Sequence, residues 1–181
     1  MIIADLFSLD ADEVKKIWSK NKQGLMSGKE TTKDFIERLR KELNFPRRTE
    51  ELLSDWLENY KVKARGVDWE LMDFIEKLNR KYKVYLLTDT LDIHDNYNKT
   101  RNIYSKFHKV FKSYEGGFVK PDKAAFLNFF KKANVRPEEC VFVDDLEKNI
   151  ITAREVGIEG IVYKNTKQMK NELEERIIDM V

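Results

Sequence analysis

Cysteine is nearly missing from this chain: Cys140 is the only one, which excludes an intramolecular disulfide and a thiolate metal cluster. Its apolar neighbours Val141, Phe142 and Val143 predict a buried thiol in a strand. Three prolines and seven glycines leave no material for a flexible linker, and no repeat or low-complexity tract is present. No apolar run approaches the ~20 residues that cross a bilayer. The start, Met1-Ile2-Ile3-Ala4-Asp5, lacks the basic and long apolar segments of a signal peptide, so a cytoplasmic protein without a membrane partner is expected. A surplus of one charge is missing too. Lys and Arg (34) nearly balance Asp and Glu (32), for a net charge of +2. No net basic field exists to attract a polyanion, which argues against a nucleic-acid partner. The local run Lys61, Lys63 and Arg65 reads as a solvated face.

What is present suits a globular domain. With 181 residues, 41% hydrophobic and 36% charged, the chain can bury one core and carry a small accessory region. From about Leu9 to Val62 every signal is helical. Asp10 and Glu13 form a capping-box pair ahead of Val14, Ile17 and Trp18. Thr31 or Thr32 can cap a second helix with Phe35, Ile36, Leu39 and Leu43 on one face. Pro46 ends it, and Thr49 can start a third bearing Leu52, Leu53, Trp56, Leu57 and Tyr60. The three tryptophans, Trp18, Trp56 and Trp69, are read as core, and His94 and His108 as exposed helix residues.

After Gly66 helix and strand alternate. A helix with Leu71, Met72, Ile75 and Leu78 leads to the strand Val84–Leu87. A polar helix, a strand near Val110-Phe111 and a helix opening at Lys120-Pro121-Asp122 follow, with Pro121 suited to that helix's first turn. Then come the strand Cys140–Val143, a helix ending at Gly157, the strand Gly160–Tyr163 and a terminal helix with Met169, Leu173 and Ile177. Apolar, unalternating strands separated by helices predict an α/β fold with a Rossmann-like parallel sheet. The expected organisation is a helical cap region at 1–65 and an α/β core at 66–181.

In such sheets ligands bind beyond the carboxyl ends of the strands, and three polar clusters fall there. Thr88-Asp89-Thr90 follows the first strand, where a hydroxyl can donate to a phosphoryl oxygen, although Thr and Asp at this place also serve as plain helix caps. Lys120 follows the paired glycines Gly116 and Gly117 and can supply a fixed positive charge, or be a surface lysine. Asp144-Asp145 ends the strand Cys140–Val143. Adjacent carboxylates repel, and a hard cation with oxygen ligands relieves that repulsion. Asn149, one turn further on, can support the same place.

In this order and spacing the clusters resemble the second, third and fourth motifs of the haloacid dehalogenase-like hydrolase superfamily. The resemblance runs from about Val84 to Tyr163, with Lys120-Pro121-Asp122 and Cys140–Asp145 its most specific part. The helices from Leu9 to Val62 are similar to the small α-helical cap of the subgroup that includes many sugar-phosphate phosphatases. The resemblance implies a magnesium-dependent hydrolase of small phosphate monoesters. Thr88, with Asp89, would bind the phosphoryl group, Lys120 would neutralise charge there, and Asp144 and Asp145 would hold Mg2+. The partner implied is a small phosphorylated molecule.

The family's first motif, a strand ending in Asp-x-Asp, does not appear. Its first Asp attacks phosphorus and its second acts as general acid and base. The only nucleophile candidate here is Asp5, and Phe7 stands where the second Asp should be. Two readings follow. In one, Ile2–Asp5 is a remnant first strand. In the favoured one, Ile2–Phe7 belongs to a cap helix and the nucleophile strand lies upstream of Met1. On either reading turnover is expected to be low and magnesium affinity weak, and a partner chain could fill a missing central strand. The alternative function is a non-catalytic family member that binds a phosphorylated ligand or a protein partner. A receiver-like signalling domain fits less well, because its acidic pair normally lies near the N-terminus.

Overall fold

The computed structural model describes residues 2–64 and 66–179, with side chains through residue 176. Arg65 of the basic run and the side chain of Ile177 therefore lie outside the described residues. The chain forms two compact units, Met1–Gly117 and Phe118–Val181, so the helical region expected at 1–65 shares a unit with the segment that follows it.

The first unit opens with four helices: α1 (Ile2–Phe7), α2 (Ala11–Met26), α3 (Thr32–Glu42) and α4 (Thr49–Lys63). Local chemistry sets their ends. Asp10 accepts from the Asp12 and Glu13 amides at 2.9 Å each, while Glu13 accepts from the Asp10 N–H at 3.1 Å, completing the expected capping box. Thr31, rather than Thr32, caps α3. The four helices bury one apolar cluster that includes Ile3, Leu6, Val14, Leu25, Phe35, Ile36, Leu52 and Trp56. Gly28, just after α2, has a φ of +71°, and a Cβ there would sit 2.0 Å from the Tyr114 carbonyl oxygen. Glycine is required at that position on both counts.

Next come α5 (Trp69–Leu78), β1 (Tyr85–Thr88), α6 (Asp92–Thr100), a 3-10 turn at Tyr104–Lys106, β2 (Lys109–Lys112) and the short α7 (Ser113–Gly116). β1 and β2 pair in parallel, from Tyr85 opposite Lys109 to Thr88 opposite Lys112. The second unit contains α8 (Lys123–Ala133), β3 (Val141–Asp144), α9 (Glu147–Glu155), β4 (Glu159–Val162) and α10 (Thr166–Asp179). β3 and β4 are also parallel, from Val141 opposite Glu159 to Asp144 opposite Val162. Phe126 on α8 meets the edge of Phe142 on β3 at 5.2 Å between ring centres, and Ile150, Ala153 and Ile161 are buried beside them. Among the described residues each unit thus holds one two-stranded parallel sheet. No helix among them is long and apolar enough to cross a membrane.

Several expectations are corrected. The favoured reading of Ile2–Phe7 as a helix holds, and the alternative of a remnant strand at Ile2–Asp5 does not. Trp69 is 55% exposed. Pro121 lies in a turn, and Asp122 rather than Pro121 opens α8, accepting from the Ala124 amide at 2.9 Å. Cys140 precedes β3 instead of belonging to it, and burial pushes its thiol up to about 11.

Candidate functional site

β3 delivers the acidic pair at its carboxyl end. Asp144 is the last residue of the strand, and the chain turns at once into α9, whose start supplies donors. The Leu146 amide donates to Asp144 Oδ1 at 2.9 Å, and Asn149 Nδ2 donates to the same oxygen at 2.9 Å. Lys120 donates to the other oxygen, Oδ2, at 2.8 Å. The side chains of this ion pair are only 9% and 7% exposed, and the Lys120 ammonium also lies 5.5 Å from the centre of the Phe142 ring. Burial alone would raise the Asp144 pKa. The Lys120 hydrogen bond and charge, with the Leu146 and Asn149 donors, outweigh it and hold the carboxyl below its usual range.

A metal cation is the expected relief for repulsion between the two carboxylates. Here Lys120, Asn149 and the Leu146 amide compensate Asp144, while Asp145 is exposed. Asn149 serves Asp144 rather than Asp145. It is 2% exposed, and its Oδ1 is buried without a hydrogen-bond partner. Among the described residues no group of three or more His, Cys, Asp or Glu side chains could hold a metal ion. Two carboxylates remain, a set that suits magnesium, which keeps several waters and commonly takes one or two protein carboxylates plus substrate phosphate.

The first unit carries the other predicted residues. Thr88 ends β1, and both Thr88 and Asp89 are partly buried. Thr90 is fixed by Ser113, the residue after β2. The Thr90 amide donates to Ser113 Oγ at 3.0 Å, and Ser113 Oγ donates to the Thr90 carbonyl at 3.3 Å. Both are buried. Sequence reasoning missed Ser113, and its position directly after a strand was the one available signal.

Asp5 is not presented as a nucleophile. It sits on α1 and forms an ion pair with Lys63 at the end of α4. The Lys63 hydrogen bond, against a smaller effect of desolvation, lowers its pKa. Phe7 is buried and packs against Phe45 with ring centres 5.1 Å apart. An Asp-x-Asp pair works from an extended segment, where residues two apart share a face. On a helix they point about 200° apart, which sends Asp5 to the surface and Phe7 to the core.

His94 also departs from expectation. It is partly buried, accepts the Trp56 indole N–H on Nε2 at 2.9 Å, and stacks on Tyr60 at 3.8 Å and 8°. Burial pushes its pKa down to about 4, against a small opposing effect of Asp92. Nearby, the fully buried Asp95 accepts from the Tyr114 hydroxyl at 2.8 Å and pairs with Lys99 at 2.8 Å and Lys112 at 3.1 Å.

Comparison with known proteins places the chain in a family. The family model for haloacid dehalogenase-like hydrolases matches residues 5–157. The chain is similar to a D-ribitol-5-phosphate phosphatase from Bacteroides thetaiotaomicron, at 29% identity over 174 residues, 91% of this chain and 80% of the relative. Among solved structures, it resembles a HAD family enzyme from the same organism in complex with magnesium and inorganic phosphate. That match has a TM-score of 0.74 and 23% identity, covering 91% of this chain and 86% of the other. A predicted HAD-like hydrolase from Porphyromonas gingivalis superposes with a TM-score of 0.77 at 20% identity, covering 97% and 88% of the two chains.

Proposed function

Since the chain belongs to the haloacid dehalogenase-like hydrolase family, we propose that it binds small phosphate monoesters with Mg2+ through a phosphatase site that turns over slowly. The observation that carries the reading is the buried Lys120–Asp144 pair at the carboxyl end of β3, with Asn149 and the Leu146 amide fixing the carboxylate. A lysine fixed by a carboxylate presents its charge in a set direction, and positioning with charge stabilisation is most of what phosphoryl transfer requires of a protein.

Asp144 and Asp145 hold the metal, and Asp145 is the more accessible ligand because Asp144 is already engaged. Bound magnesium would neutralise phosphoryl oxygens. Lys120 adds a second positive charge, and Thr88 with Asp89 hydrogen-bonds the phosphoryl group. Slow turnover follows from the placement of Asp5 on α1, paired with Lys63, and from Phe7 in place of a general acid and base. The similarity to a D-ribitol-5-phosphate phosphatase makes an open-chain polyol phosphate the first substrate to try.

Calorimetric titration of the 181-residue protein with MgCl2, inorganic phosphate and D-ribitol 5-phosphate tests the reading. Phosphate binding that needs magnesium and is lost in Lys120→Met is the expected result. Binding of neither ion would overturn it.

A further inference from the structure

We infer that His94 is a proton-operated pin: neutral, it holds cap helix α4 to α6, and protonated, it releases α4. The geometry requires the neutral form. His94 Nε2 accepts the Trp56 indole N–H at 2.9 Å, and an imidazole nitrogen accepts only when it carries no proton. The proton of the neutral ring is therefore assigned to Nδ1, the tautomer this hydrogen bond demands.

The joint is built from matching helical spacings. Trp56 and Tyr60 lie four apart on α4, and His94 and Asn98 four apart on α6. Tyr60 stacks on the imidazole at 3.8 Å, and Asn98 Nδ2 donates to the Tyr60 hydroxyl at 3.1 Å. A proton on Nε2 sets one N–H against another. Tryptophan cannot adapt, since its indole is a donor only.

The charged surroundings do not rescue the protonated ring. Among the described residues Asp92, on α6, is the one charge acting on it, and that carboxylate already accepts from the backbone and side chain of Thr32 on α3. From α4, Lys61 is turned over the Tyr97 ring, 5.8 Å from its centre. Arg101, after α6, lies 5.7 Å from the same ring. Asp95 faces Tyr114, Lys99 and Lys112 instead. Burial of the ring among aromatic side chains acts in the same direction, disfavouring the cation.

Residues 89–91 alone separate β1 from α6, so the pinned helix is also the one that leaves Thr88. The proposal does not depend on turnover or on metal binding, and its test reads neither. Histidine-labelled protein is titrated by 15N NMR, with amide exchange followed in parallel and corrected for its intrinsic pH dependence. The chain has two histidines, and His108→Gln identifies the His94 signals. His94 should be the Nδ1–H tautomer at neutral pH and stay neutral well below the free-histidine range. Its protonation should shift the Trp56 indole resonance and speed amide exchange in α4 at least roughly tenfold, while α8 and α9 stay protected. His94→Gln, whose amide oxygen accepts the indole without titrating, should lack the α4 response. An Nε2–H tautomer, an ordinary titration midpoint, unchanged α4 exchange after protonation, equal loss of protection in α8 and α9, or an acid response retained in His94→Gln would each overturn the pin.

Discussion

Lys120 Nζ and Asp144 Oδ2 stand 2.8 Å apart with their side chains 9% and 7% exposed, an ion pair shut away from water at the end of a strand. Breaking such a pair from one side strands the other charge, which commonly costs about 3–5 kcal/mol. Asn149 and the Leu146 amide still donate to Asp144, so Lys120→Met is expected at the lower end, about 3 kcal/mol. The double variant Lys120→Met/Asp144→Leu should recover part of that loss. Urea denaturation checks both, and a double variant less stable than Lys120→Met would contradict the argument.

Asp145 offers the complementary case. It is exposed, so Asp145→Asn should leave stability within about 0.5 kcal/mol of wild type while weakening the proposed magnesium site. Thermal unfolding with and without MgCl2 reads both effects. Wild type should gain stability with magnesium and Asp145→Asn should gain less, whereas identical gains would take Asp145 out of the metal site.

Two glycines near the end of α2 should respond in opposite directions. At Gly28 a Cβ meets the Tyr114 carbonyl oxygen at 2.0 Å, and φ is +71°. Gly28→Ala should cost about 2 kcal/mol or more, from strain and backbone displacement together. Gly24 is inside α2 with nothing within 4 Å of an added Cβ. Gly24→Ala should stabilise by about 0.5–1 kcal/mol. Equilibrium unfolding of the two variants decides between these signs.

Stability should fall as pH drops from neutral toward 4, and His94 should account for part of it. Its folded pKa lies near 4, below an unfolded value near 6.5. Between these values the unfolded chain binds the extra proton, so acid favours unfolding, and below about 4 the effect saturates. The contribution is at most about 3 kcal/mol. His94→Phe keeps a ring against Tyr60 but cannot titrate, so its stability should fall less over the same range. Equal slopes for the two proteins would assign the acid sensitivity elsewhere.

The elements that sequence reasoning reached are those set by local chemistry. The Asp10–Glu13 box, the Thr31 cap, the apolar faces of α3 and α4, and the strand ending in Asp144 all follow from spacing and side-chain type. What it missed depends on partners distant in the chain. The turn of Lys120 toward the acidic pair, 24 positions later, was expected, but from the family resemblance and not from anything near Asp144 in sequence. His94 looked like a surface residue because its partners Trp56 and Tyr60 sit on a helix 38 and 34 positions away. The apolar run Ile2-Ile3-Ala4 fits a strand as well as a helix. Burial of Ile3, Leu6 and Phe7 against the other cap helices decided for the helix.

That helix carries the last prediction. Asp5 is paired to Lys63 and Phe7 lies in the core, so these two residues do not form the carboxylate couple of the family's first motif. On the proposed reading, Lys120 and the acidic pair would stabilise the charge of a bound phosphate, which contributes to rate. The covalent route nonetheless needs an attacking carboxylate, and Phe7 in place of a general acid and base would alone cost typically ~10²–10⁴-fold. Hydrolysis of D-ribitol 5-phosphate and a panel of other small phosphate monoesters with magnesium should therefore be slow, and Asp5→Asn should leave it unchanged. Asp5→Asn should also leave stability nearly unchanged, since the Lys63 pair is exposed. Fast turnover abolished by both Asp5→Asn and Asp145→Asn would reverse the assignment and make Asp5 the nucleophile.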